Sequence, residues 1–259
     1  MLTNRNTVPQ ALREFFLNNP KLALAFSGGS DSAYLLYAAK ECGTDVGAYY
    51  VRSRFQAAFE FEDALRLADE LGVQLRVLDI DVLSDEKIVS NPANRCYHCK
   101  KHIFSAIIEA ARADGYRTVI DGTNASDDAS DRPGMRALEE MGVRSPLREC
   151  GITKAELRAY SQAAGLFTWN KPAYACLATR IPCGMLIDAE WLKKVEKAEK
   201  ALSAMGFIDF RVRLTNDGSA KIQLHKDQLG LFGVLREKVY VSLKEDFESV
   251  LLDLRLRGE

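Results

Sequence analysis

Residues 22–32 read LALAFSGGSDS. Five apolar residues run without a break, and two glycines then sit among serines and an aspartate. An unbroken apolar run of this length suits a strand buried on both faces, as a parallel sheet requires. The next residues, DSAYLLYAAKEC (31–42), carry apolar side chains at helical spacing. The stretch is therefore predicted as strand, tight loop and helix. Its glycines let the backbone bend and approach a ligand closely. The helix start offers unpaired N–H groups and a positive dipole end. Ser27, Ser30 and Ser32 add hydroxyls. Asp31 is an anion, unsuited to bare phosphate, and becomes useful when a magnesium ion bridges it to phosphates. Ser27, Gly28, Gly29, Ser30, Asp31 and Ser32 are thus the expected nucleotide-phosphate loop. The plain alternative is a turn with Asp31 or Ser30 as an ordinary helix cap. GxxxxGK[ST] and GxGxxG are both absent, which excludes a Walker loop and a dinucleotide fingerprint.

Outward from this loop, the same alternation continues. A helix is expected over 9–18, strands over 45–51, 73–80 and 116–122, and helices over 57–72 and 96–115. Strands alternating with helices imply an α/β fold, a parallel sheet with helices on both faces. Ligands of such sheets bind at the carboxyl ends of the strands. That rim gathers SGGSDS, VRSR (51–54), the approach to RCYHC, and DGTNASDD (121–128). Asp121, Gly122, Thr123 and Asn124 are candidates to hold a nucleotide or substrate, against the alternative of a polar surface loop. After residue 184 the pattern changes to a charged helix (188–205), a hairpin of FRVRL and AKIQL around TNDG, a helix near 233–245, and the strand SVLLDL (249–254). Two domains are expected, 1–184 and a small α+β region at 185–259.

Hydrophobic residues make up 47% of the 259, enough for a substantial core. With 35 basic and 36 acidic residues the net charge is −1, which speaks against a nucleic-acid binder acting through bulk charge. No membrane-length apolar run and no signal-like apolar core occur, so a cytoplasmic enzyme without membrane association is expected. Stable disulfides are unusual there. Cys42, Cys96, Cys99, Cys150, Cys176 and Cys183 are therefore read as thiols, metal ligands or reactive groups.

RCYHCKK (95–101) places Cys96 and Cys99 three apart. They suit a zinc site with His102 and a distant ligand, a redox pair, or two corners of something larger. NKPAYACLATRIPCG (170–184) holds Cys176 between Pro172 and Pro182, so a loop or short turn is predicted. Lys171 and Arg180 are cations near it in sequence, and a cation beside a thiol favours thiolate. The alternative is a buried structural cysteine. Arg211 and Arg213 alternate on one strand and share a face. Their forks suit phosphate or carboxylate, and a solvated strand face is the alternative.

FSGGSDS resembles the pyrophosphatase loop of the PP-loop ATP-pyrophosphatase (adenine nucleotide alpha hydrolase-like) superfamily. The order of SGGSDS, RCYHCK, DGTNxxD…RPG, SPL (145–147), KPAYACLATRIP and RVR (211–213) resembles the LarE family of ATP-dependent sulfur transferases over roughly residues 10 to 255. The resemblance implies ATP and magnesium, the latter on Asp31. It implies adenylation of a carboxylate of pyridinium-3,5-biscarboxylic acid mononucleotide, then displacement of AMP by sulfur, in two rounds. The product serves the nickel-pincer nucleotide cofactor of lactate racemase. It also implies catalytic roles for Asp31 and Cys176, and a homo-oligomer, with a hexamer in view. In one type of relative the cysteine matching Cys176 gives up its own sulfur. In the other, three cysteines hold a 4Fe–4S cluster whose open iron carries the sulfide. Cys96, Cys99 and Cys176 match the second type. The arginines matching Arg211 and Arg213 are associated with an anion site, and Arg132 and Arg180 are further candidates for substrate. Gln223 stands where an acidic residue is expected, Thr179 where serine is commoner, and Cys183 where an aromatic is expected. A tRNA thiolase, with nucleic acid as partner, and an ammonia-using amide ligase of the same superfamily are the rival functions.

Overall fold

The computed structural model describes residues 7–127 and 133–258. In chain order the elements are α1 (Gln10–Asn18), β1 (Lys21–Ala25), α2 (Ser30–Glu41), β2 (Asp45–Arg52), α3 (Ala58–Glu70), β3 (Leu75–Asp79), α4 (Glu86–Val89), α5 (Arg95–Ala113) and β4 (Val119–Ile120). They continue with α6 (Pro133–Glu140), α7 (Pro146–Glu149), α8 (Lys154–Ala163), α9 (Ala189–Ala204), β5 (Arg211–Leu214), β6 (Ala220–Gln223), α10 (Leu229–Leu243) and β7 (Val250–Leu252). The chain divides into two compact units. One takes the residues up to Ile80 with Asn94–Tyr174, the other Asp81–Ala93 with the residues from Ala175 onward.

The first unit holds a four-stranded parallel sheet in the order β3-β2-β1-β4. β1 is central and its alternating side chains feed two cores. Leu22 and Leu24 join Leu12, Phe16, Tyr34, Leu36 and Leu67 on one face. Ala23 joins Tyr49, Phe104, Ile107 and Leu138 on the other. Burial on both faces is why LALAF shows no polar alternation. β1 and β4 are hydrogen-bonded neighbours running the same way. The loop after Ala25 and the loop after Ile120 therefore leave the sheet side by side, at its carboxyl rim. The α/β fold expected from the sequence is the one observed.

β4 is shorter than the expected 116–122. Gly115 at φ +82° turns the chain, and Tyr116 N–H donates to Ala111 O at 2.8 Å, so Tyr116 closes α5 instead of starting a strand.

The second unit carries a three-stranded sheet, β5-β6-β7. β5 and β6 are the expected antiparallel hairpin, with Arg211 opposite Gln223, and β7 adds parallel to β6. Asp188 caps α9 by accepting from Glu190 N–H at 2.6 Å. α10 starts at Leu229, earlier than the expected 233, because a 3₁₀ turn over Lys226–Gln228 leads directly into it. Asp81–Ala93 belongs to this unit through Asn91. That residue is buried at φ +53°, and its side-chain amide donates to Pro182 O at 2.7 Å. Its carbonyl accepts from Gly184 N–H at 2.8 Å. No helix among the described residues is long and apolar enough to cross a membrane.

Candidate active site

The loop after β1 is held by its own serines. Ser27 N–H donates to Ser32 Oγ at 3.2 Å, the two hydroxyls lie 3.1 Å apart, and Ser32 Oγ donates to Gly29 O at 3.2 Å. Gly28 sits at φ +70°, and a Cβ there would stand 2.9 Å from Ala64 Cβ on α3. Both the backbone angle and the space demand glycine. Gly29 is the N-cap of α2, so Ser30, Asp31 and Ser32 form its first turn. The first N–H groups of a helix lack intrahelical partners and suit an anion.

Asp31 is not a bare cap. Lys154 Nζ lies 2.8 Å from each of its carboxylate oxygens and 2.8 Å from Ser30 Oγ. Burial pushes the Asp31 carboxyl up from the ordinary range, Lys154 pulls it back, Asp127 pushes it up and Arg158 draws it down. A second lysine, Lys171, pairs with Asp63 at 2.7 Å and donates to Gly28 O at 3.3 Å. The sequence reading had Lys171 only as a neighbour of the Cys176 thiol, and it missed Lys154. The signal for Lys154 was TKAE (153–156), a capping box with a cation at the first helical position, where the dipole disfavours one.

DGTN meets this loop backbone to backbone. Asp121 is buried, and its carboxylate accepts from Ser145 Oγ at 2.6 Å and Thr123 Oγ1 at 2.5 Å. It therefore shapes the turn. Asn124 Oδ1 accepts from Ser126 N–H at 2.8 Å, and Ser126 Oγ accepts from Lys154 N–H at 2.9 Å, which ties the loop to the start of α8. A Cβ on Gly122 would stand 2.9 Å from Ser32 N and 3.3 Å from the Asp31 carbonyl carbon. Gly122→Ala is accordingly expected to push the first turn of α2 away and to weaken ATP binding by about tenfold. Calorimetric titration checks this, and unchanged affinity would mean the two loops give way freely.

Cys96 and Cys99 lie one turn apart at the start of α5, on one side of the helix. Cys96 is exposed and Cys99 half-buried. Tyr97, between them, anchors the turn to α6. Its hydroxyl donates to Glu140 at 2.6 Å, and Lys101 and Arg136 also bond that carboxylate, at 2.9 and 2.8 Å. These partners hold the Glu140 carboxyl down at about 2. None of the described cysteines is in a disulfide. Burial pushes the Cys42 and Cys150 thiols up, so both favour the protonated state. Among the described residues no three His, Cys, Asp or Glu side chains are grouped to hold a metal ion. Cys96 and Cys99 offer two thiols within the first unit.

In the second unit Cys176 is the N-cap of a 3₁₀ turn over Leu177–Arg180, as its flanking prolines implied. Its carbonyl accepts from Thr179 N–H at 3.0 Å and Thr179 Oγ1 at 2.8 Å. Arg180 is buried beneath this turn. It donates to Ala175 O at 2.8 Å and to both oxygens of Glu199, at 2.8 and 3.1 Å. Arg213 donates to Thr179 O at 2.7 Å. Arg211 is only 6% exposed, so the picture of a solvated strand face is wrong for it. Burial first, then the charges of Arg180 and Arg257, push Arg211 down to about 10, and the same causes lower Arg213. Arg257 in turn pairs with Asp209 at 2.6 Å. Arginine heads crowded in this way suit an incoming anion. Gln223, which contributes no charge, touches Arg213 at 3.4 Å. Arg132 lies outside the described residues, and Cys183 is exposed with its thiol 3.5 Å from Asn91 O.

A glycine-bent loop at the carboxyl end of the central parallel strand, with a second loop wedged against the helix it opens, belongs to the PP-loop ATP-pyrophosphatases. The model for the queuosine biosynthesis protein QueC family matches residues 21–95. A tRNA-specific 2-thiouridylase MnmA of Clostridium botulinum is 30% identical over 182 residues, covering 58% of this chain and 52% of that protein. An uncharacterized protein of Synechocystis is 37% identical, covering 85% of this chain and 82% of its own length. The pyridinium-3,5-bisthiocarboxylic acid mononucleotide synthase of Lactiplantibacillus plantarum is 35% identical over 257 residues, 98% of this chain and 91% of that one. The chain belongs to the LarE family and is an ATP-dependent sulfurtransferase.

Proposed function

We propose that this enzyme adenylates the ring carboxylates of pyridinium-3,5-biscarboxylic acid mononucleotide and converts them to thiocarboxylates for the nickel-pincer nucleotide of lactate racemase. The substrate class follows from the product named for the Lactiplantibacillus plantarum relative. The observation that carries the reading is the arginine cluster. Arg180 and Arg213 bond carbonyls of the same short segment that bears Cys176, which supports an anion site beside that thiol. Arg213 and Arg211, with Arg132, would take the substrate phosphate, and Arg180, buried on Glu199, would hold the turn that presents them rather than meet the substrate as the sequence suggested.

A carboxylate resists nucleophiles. Its oxygen attacks the α-phosphorus of ATP, the α–β bond breaks, and pyrophosphate leaves with the electron pair. Sulfur then attacks the carbonyl carbon of the acyl adenylate and AMP departs. Ser27, Gly28, Gly29, Ser30 and Ser32 cradle the phosphates, and Asp121, Gly122, Thr123 and Asn124 frame the nucleotide. Asp31 is a hard oxygen donor in the first turn of α2, and a magnesium ion held there would neutralise the phosphates. Cys96, Cys99 and Cys176 supply a donor set for a 4Fe–4S cluster, which when bound would provide the transferable sulfide. The enzyme works in the cytoplasm as a homo-oligomer in this reading, supported by Val234, Tyr240 and Val241 exposed on α10.

Iron and acid-labile sulfide after anaerobic purification test the sulfur route. About four iron atoms per chain, with broad visible absorbance lost in Cys96→Ala, are expected. A colourless, iron-free protein after attempted reconstitution would sink the cluster and make Cys176 the single-use donor. Its loss of one hydrogen sulfide would then appear in the mass after turnover.

A further inference from the structure

Lys154 is in an electrostatically awkward place. It is the first residue of α8, where the helix dipole disfavours a cation, and its side chain crosses to the first turn of α2, a second amino terminus. The needs of α8 do not explain it, because Thr153 and Glu156 already cap that helix reciprocally. Its ammonium stands 2.8 Å from Ser30 Oγ and from both oxygens of Asp31. Arg158 lies one turn further along α8, on the same face. Its charge is felt by Asp31, and its Nε is buried without a hydrogen-bond partner among the described residues. Two cations thus face the phosphate loop. The acids that answer them are Asp31 and Asp127, and Asp127 also accepts from Asn124 N–H at 3.1 Å.

We propose that Lys154 and Arg158 are the cations that bind the pyrophosphate end of ATP, with Lys154 resting on Asp31 until magnesium takes that carboxylate. The inference rests on the ATP reading of the loop and names residues for it that the loop motif does not contain. When the α–β bond breaks, the electron pair passes to the leaving pyrophosphate. Fixed positive charge beside the β- and γ-phosphates stabilises it as its charge grows. Lys154 stays protonated throughout. The exchange of partners also explains why a carboxylate sits where phosphate binds: in the empty site it is the counter-ion.

The test is equilibrium binding of inorganic pyrophosphate to the full chain, by calorimetry, without and with magnesium. Without magnesium, Lys154→Ala is expected to weaken binding at least tenfold and Arg158→Ala severalfold. Asp31→Asn is expected to tighten it, because the ammonium is released. A lysine variant that binds pyrophosphate as wild type does overturns the proposal. Lys154→Ala also bares the Asp31 carboxylate, which by itself repels pyrophosphate, so the loss must persist when that charge is removed as well. Lys154→Ala leaves a half-buried carboxylate alone and could unfold, so the Lys154→Ala/Asp31→Asn pair removes both charges. It too is expected to bind at least tenfold more weakly than Asp31→Asn, and equal affinity counts against the proposal. Wild type that binds neither pyrophosphate nor ATP would remove the nucleotide reading and this one with it. Wild type that binds ATP, beside a lysine variant with native pyrophosphate affinity, removes this one alone.

Discussion

Cys176→Ala is expected to lower thiocarboxylate formation about a thousand-fold or more while one burst of pyrophosphate per chain survives. The reason lies in what holds the turn that begins at Cys176. It is held by the Cys176 carbonyl, through Thr179, and by Arg180 on Ala175 O. The side chain makes no capping bond. Removing sulfur therefore spares the backbone that bears it. The residues proposed for adenylation, Asp31, the serines and DGTN, are wired to one another within the first unit. Sulfur assay and pyrophosphate release, measured on the same sample, separate the two half-reactions. Undiminished turnover would mean that Cys176 is a passive thiol and that ammonia or another nucleophile resolves the adenylate. Cys96→Ala refines the result. A cluster route loses sulfur transfer in both variants, whereas a sacrificial route loses it only in Cys176→Ala.

Local patterns made the sheet and its glycine-serine loop legible. LALAF is apolar throughout because β1 is packed on both faces, and SGGSDS announces its bend because Gly28 has a left-handed backbone. FRVRL and AKIQL around TNDG could pair in few other ways. Contacts across long stretches of chain left no such mark. Asn91 joins Asp81–Ala93 to the second unit through bonds to residues about ninety positions away, and nothing in its neighbourhood says so. Lys154 reaches Asp31 over 123 positions. Its oddity as a cation at a helix start could be read from sequence, but its partner could not. Tyr97 is similar. RCYHC shows where the two cysteines are, and only the fold shows that the tyrosine between them is tied to Glu140. The alternating RVR gave a shared face, but whether that face was wet or buried depended on Glu199, twelve residues before Arg211.

Glu199 is therefore where the largest loss of stability is expected. Its carboxylate is 6% exposed and accepts from Arg180 Nε at 2.8 Å, Arg180 Nη2 at 3.1 Å and Val212 N–H at 2.9 Å. Arg180, at 0% side-chain exposure, cannot turn to water when the partner goes. Glu199→Ala strands that guanidinium among Arg211, Arg213 and Arg257, which already repel one another enough to lower the first two. Breaking a buried pair from one side costs about 3–5 kcal/mol, more than the pair contributes against an apolar replacement. Denaturant unfolding of the full chain should show a loss of that size, carried by the transition of the second unit. Glu199→Gln keeps one acceptor oxygen for Val212 N–H and Arg180 Nε and should lose less, although its NH2 then faces Arg180 Nη2, donor against donor. A loss below about 1 kcal/mol in Glu199→Ala would mean that solvent or another carboxylate reaches Arg180, and the arginine cluster would not be dry. The same excess of positive charge gives the expected compensation. Inorganic phosphate, by supplying the missing anion, should raise the midpoint of Glu199→Ala more than that of wild type.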